Sequence, residues 1–79
     1  MAEFTRHAVR RFQERLGWYP NAKTRKDIST LIRKGHAVLL RHGNKKDTEV
    51  LLVIYCNMRI EVVWSNSKNK IISLWRPKE

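Results

Sequence analysis

Residues 49–65 read EVLLVIYCNMRIEVVWS, two apolar runs that meet at Cys56, Asn57 and Met58. Val50 to Tyr55 is apolar at nearly every position, the pattern of a central strand that is covered on both faces or carries a partly shielded groove. The second run alternates. Ile60, Val62 and Trp64 fall on one face and Arg59, Glu61, Val63 and Ser65 on the other, which is the period of a half-buried strand. With Asn57 and Met58 as a tight reversal, Glu49 to Cys56 and Arg59 to Ser65 form an antiparallel hairpin.

The flanking segments extend this hairpin into a sheet. Ala37 to Arg41 is a preceding strand, set off by the polar turn His42 to Asp47 with its Gly43 and Asn44. Lys70 to Arg76 is a following one, reached through Asn66 to Asn69 and closed by Pro77, which cannot continue a central ladder. Toward the N-terminus the period changes to that of a helix. Thr5 as N-cap, bracketed by Phe4 and Val9, predicts a helix from Arg6 to Leu16 stopped by Gly17. Beyond Trp18, Tyr19 and Pro20, Thr24 with Asp27 resembles a capping box, and Ile28, Leu31 and Ile32 give a short helix ending at Gly35. The expected fold class is α+β, with two N-terminal helices packed on one face of a four-stranded antiparallel meander. Residues 1–79 form a single domain, near the size at which one core just suffices.

Charge narrows the partners. Against 17 Lys and Arg stand 7 Asp and Glu, a formal net charge of +10. That balance favours a polyanion, RNA before DNA, with an acidic protein or an anionic membrane surface as competing readings. No segment reaches the roughly 20 apolar residues of a membrane span, and Met1 to Thr5 lacks the start of a signal peptide. A cytoplasmic protein is expected. Cys56, the single cysteine, reads as a small buried side chain in a reduced compartment, with an oxidised dimer as the alternative.

Several chemistries lack their residues. The three histidines show no ligand spacing, the carboxylates are scattered and no cysteine pair exists, so neither a metal site nor a two-metal nuclease is expected. No serine stands in a nucleophile elbow. Gly17, Gly35 and Gly43 are isolated and form no phosphate-cradling loop, and no cofactor is implied. What remains is metal-free chemistry on RNA, where the 2′-hydroxyl is the built-in nucleophile and the protein orients it, stabilises charge and moves protons.

His7, Arg11 and Arg15 are spaced for that task. Four residues apart on the first helix, they form a ridge beside the apolar stripe Phe4, Ala8, Phe12 and Leu16. His7 is the candidate general acid or base, and Arg11 and Arg15 hold the scissile phosphate. The competing reading has His7 orienting the first turn and Arg15 laying its stem along the core. Arg59, Lys70 and Arg76 would extend the phosphate contacts, and Tyr55 belongs to the same polar inventory. Trp64 and Trp75 could stack bases but suit a core better, which leaves Trp18 as the exposed aromatic.

Phe4-Thr5-Arg6-His7-Ala8, then Arg11-Phe12 and Glu14-Arg15, and the final Ile71-Ile72-Ser73-Leu74-Trp75 strand resemble small toxin-related domains of unknown function that begin with a His-Ala helix. Those domains are grouped with the barnase, colicin and RelE-like ribonuclease toxin fold. The resemblance implies an endoribonuclease of a toxin–antitoxin pair, with His7, Arg11 and Arg15 as the characteristic polar set and an acidic antitoxin as protein partner. Its specific part is confined to about ten residues of the first helix. Many relatives carry a tyrosine near the last strand; Trp75 stands here and cannot donate a phenolic proton. The alternative function is a non-catalytic nucleic-acid-binding regulator, or a small effector, including a phage-encoded one, that docks on a host protein.

Overall fold

The Thr5 side chain, held in extended backbone, accepts a hydrogen bond from the Ala8 amide at 3.1 Å and so starts helix α1, Arg6–Leu16. Gly17, at φ 84°, ends it by donating its N–H to the Gln13 carbonyl, a left-handed cap that a side chain would disfavour. The computed structural model describes residues 4–77.

Helix α2, Ala22–Arg33, begins a turn earlier than expected. Its cap is Asn21, whose side chain accepts from the Thr24 amide at 2.9 Å. Thr24 therefore sits buried in the first turn, and Asp27 does not close a capping box. Asp27 accepts from Lys23 Nζ and from the Tyr55 hydroxyl, each at 3.3 Å. The far end agrees with the expectation: Gly35 takes φ 80°, and the His36 amide bonds back to the Leu31 carbonyl.

Four strands follow in an antiparallel meander of order β1-β2-β3-β4: β1 Val38–His42, β2 Thr48–Tyr55, β3 Met58–Ser65 and β4 Lys70–Trp75. The central hairpin pairs Tyr55 with Met58, so its two-residue turn is Cys56-Asn57 and not Asn57-Met58. Both turn residues have positive φ, 51° and 64°, the backbone that matches the twist of the strands in a two-residue hairpin. Cys56 is lifted out of the strand by this turn and is exposed, contrary to the expected buried thiol.

Ala8, Phe12, Ile28 and Ile32 of the helices pack with Leu51, Val53, Ile60, Val62, Trp64, Ile71 and Leu74 on one face of the sheet. Alternation along β2 and β3 places Thr48, Val50, Leu52, Ile54, Arg59, Glu61, Val63 and Ser65 on the outer face. This face is graded. Val50 is buried near the β1–β2 turn, Leu52 is half-buried and Ile54 is exposed. Beneath that turn a cavity of about 190 Å³ is lined by Gly43, Asn44, Lys45, Thr48, Val63 and Ile72. No helix among the described residues is long and apolar enough to cross a membrane.

Candidate functional site

Helix α1 is fixed before its polar residues point anywhere. Phe4 pairs in parallel with Ile71, the Thr5 amide donates to the Ile71 carbonyl at 3.0 Å, and the Thr5 hydroxyl donates to the Ile72 carbonyl at 3.0 Å. Phe4 and Phe12 lie 6.2 Å apart in the core below. The apolar side of the helix, with Ala8 and Phe12, is thereby held against β4, and the polar side is left to solvent.

On the solvent side His7 and Arg11 come together. Arg11 Nε donates to His7 Nε2 at 3.4 Å, a contact that requires a lone pair on that imidazole nitrogen. Arg11 Nη1 also reaches Glu14 Oε1 at 3.3 Å, and both side chains of that pair are substantially exposed. Arg15 is exposed and enters no ion pair among the described residues. Its head lies in solvent, close to the snorkelling alternative.

Glu14 is the member that reading the carboxylates as scattered left out. Its signal was the i,i+3 spacing to Arg11, which on a helix puts the two side chains side by side. The result is an imidazole and a carboxylate on either side of one guanidinium. His7 and Glu14 are seven residues apart, about 10 Å along the helix axis. Arg11 uses Nε and one Nη1 hydrogen on these neighbours, so the remaining N–H groups of its fork are available to an anion.

Trp18 adds an aromatic surface at the C-terminal end of this row. It is 40% exposed and stands edge-on to Phe12, with ring centroids 4.8 Å apart and an interplanar angle of 89°. The other two tryptophans are taken up by the fold: Trp64 is buried, and Trp75 is half-buried with its indole N–H donating to Glu61 Oε1 at 3.1 Å.

Two of the remaining expected cations, Arg59 and Lys70, do not join the ridge. Arg59 pairs with Ile54 and Lys70 with Ser65, so both stand on the outer face, with the sheet between them and the helices. They also lie at opposite ends of the β3–β4 pair, about 20 Å apart at the rise of an extended strand. Arg76 is exposed and follows Trp75, which pairs with Glu61, at the Arg59 end. Tyr55 is likewise committed to structure, its hydroxyl bonded to Asp27; burial pushes that hydroxyl above its ordinary pKa, and the Asp27 carboxylate adds to the effect.

Among the described residues no three of His, Cys, Asp and Glu gather as metal ligands would. What the α1 surface offers is anion binding and proton transfer from ordinary side chains. No family model, curated protein or solved structure matches this chain.

Proposed function

We propose that this protein binds RNA through the exposed side of α1 and cleaves it without a metal, by attack of the 2′-hydroxyl on the adjacent phosphate. The observation that carries the reading is the contact chain His7–Arg11–Glu14, displayed to solvent on a chain of net charge +10. In this mechanism Arg11 and Arg15 bind the scissile phosphate and stabilise the charge that builds on it. Entry of the phosphate draws Arg11 away from its two neighbours. Glu14 then takes the 2′-hydroxyl proton as the nucleophile attacks phosphorus, while His7, whose Nε2 is freed by Arg11 and takes a proton from solvent, gives that proton to the departing 5′-oxygen. The products are a 2′,3′-cyclic phosphate and a 5′-hydroxyl. Trp18 stacks a neighbouring unpaired base, worth about 1 to 3 kcal/mol by truncation. The toxin-ribonuclease resemblance of the first helix agrees with this assignment and is not needed for it.

The test is incubation of the pure protein with single-stranded RNA in chelator at pH 6 to 8. Cleavage is expected, ending in cyclic phosphate, and His7→Ala lowers the rate by about 10² to 10⁴ while binding persists. Arg11→Ala with Arg15→Ala weakens binding and flattens its salt dependence by about two phosphate contacts. Intact RNA at near-stoichiometric protein removes the catalytic assignment and leaves the non-catalytic nucleic-acid binder. RNA binding that ignores both arginines removes the α1 site altogether.

A further inference from the structure

We propose that β1 is a docking edge for an extended acidic segment of another protein, which pairs with Val38–His42 as a fifth strand. β1 terminates the sheet, and every one of its residues is exposed. Its backbone is paired on one side by β2, and the outer side has no partner strand among the described residues. Such an edge offers unpaired N–H and C=O groups to any chain able to lie alongside.

Side chains make this edge unusual. Val38, Leu39 and Leu40 are exposed by 58%, 49% and 42%, three consecutive apolar residues where protected edges carry lysine, proline or a covering element. The apolar character continues inward on the outer face, since Val38 pairs with Leu52 and the neighbouring Ile54 is 61% exposed. An added strand would extend that surface and cover Val38.

Charge selects the occupant. Arg33 and Lys34 precede β1, and Arg41, Lys45 and Lys46 lie at its other end, all exposed. Three carboxylates stand nearby: Glu61, 3.9 Å from Arg41, Glu49, opposite His42, and Asp47 in the following turn, whose side chain is bonded to Ser65 and Ser67. None of them forms an ion pair with Arg33 or Lys34 at one end or with Lys45 or Lys46 at the other, among the described residues. A second copy of this chain would bring like charges together, whereas an acidic segment meets them with opposite sign. Nucleic acid has the charge but lacks the amide ladder and the apolar side chains that the edge calls for. The partner segment is therefore apolar and β-branched at its centre and carries Asp or Glu at both ends. This surface is at the sheet edge remote from α1, which packs on β4, and it is independent of the RNA reading.

The probe is a synthetic peptide of about nine residues, alternating Val and Thr between Asp-Glu ends, the length of a typical strand with flanks. Titrated into the full chain and followed by amide NMR shifts, it is expected to move Val38 to His42 and the paired amides of β2, and not those of α1. Val38→Lys with Leu40→Lys separates strand pairing from simple charge attraction, because it adds positive charge while removing the apolar contacts. Affinity falls about tenfold or more if the edge docks a strand. Equal or tighter binding by the variant, no binding by the native chain, or shifts spread over all lysines overturns the proposal. Sedimentation of the native chain alone as a dimer that Val38→Lys dissolves overturns it in favour of self-pairing. The shift map needs no variant, so a folding defect in the double substitution leaves the question answerable.

Discussion

The two edges of the sheet are finished in opposite ways. At β4 the chain returns on itself: Phe4 bridges Ile71, Thr5 bonds the Ile71 and Ile72 carbonyls, and α1 lies against the strand. At β1 nothing among the described residues covers the strand, which is attached by its ladder to β2 and by the turn that joins the two. There the Gly43 amide donates to the Thr48 carbonyl at 2.9 Å, and the Thr48 hydroxyl and amide both donate to the Lys45 carbonyl. One edge is held by buried side chains and the other by local hydrogen bonds. The α1 surface is seated on the first edge, while the second leaves Val38, Leu39 and Leu40 exposed.

If that contrast is right, Phe4→Ala has the largest effect. Phe4 is only 2% exposed and anchors both the covered edge and the start of α1. A loss of about 3 to 5 kcal/mol is expected, enough to unfold much of a domain this small. Urea denaturation measures it, and a loss below about 1 kcal/mol would mean that the Phe4 bridge is incidental. Gly43→Ala should come next. A Cβ at residue 43 would overlap the Thr48 hydroxyl and crowd its Cβ, so the turn must shift or give up the Thr48–Lys45 bond. Overpacking of this kind costs about 1 to 3 kcal/mol.

Thr5→Ala probes the covered edge without touching its core. It removes the cap of α1 and the bond to Ile72 together, for about 1 kcal/mol in stability, within a range of about 0.5 to 2. Leu39→Thr on the bare edge should lie within about 0.5 kcal/mol, because a side chain already half in water loses little by becoming polar. Thermal denaturation of the two variants side by side makes the comparison direct; equal losses would mean that the edges are not differently built.

Sequence reading reached much of this architecture where the deciding interactions are local. Thr5 and Gly17 act within a turn of the helix ends they set, so α1 was legible residue by residue. The meander was legible because alternation in β3 and the polar breaks around it leave few other pairings. Helix α2 was misplaced at its start because Asn21 and Thr24 can both cap, and their hydrogen bonds differ only in register. Cys56 was misread because hydrophobicity reports burial and says nothing of φ, which the two-residue turn fixes. For the site, His7 and Arg11 were found by spacing. Glu14 was lost by treating carboxylates as a class instead of applying the same spacing to them. The separation of Arg59 from Lys70 required the strand register, which a list of basic residues does not contain.

The smallest expected effect concerns the fastening of the β1–β2 turn to the rest of the sheet. Asp47, at φ 75°, accepts from the Ser67 amide at 2.8 Å and the Ser65 hydroxyl at 3.4 Å, while its carbonyl accepts from Asn66. Those bonds, Ser67's first, hold its carboxyl below the ordinary value of 3.8. A carboxylate with a lowered folded-state pKa stabilises the fold above its unfolded value, and that contribution disappears as pH falls through the folded one. The side chain is exposed, so the change should be local. Lowering pH from neutral to below the usual carboxylate range should reduce the hydrogen-exchange protection factors of Ser67 and Lys68, taken against the intrinsic rate at each pH, before global unfolding begins, with those of β4 amides near Thr5 unaffected over the same interval. Asp47→Asn should remove most of that pH response by taking away the titrating group. Simultaneous loss of protection at both edges would show that the turn at the bare edge and the clamp at the covered one belong to a single cooperative unit.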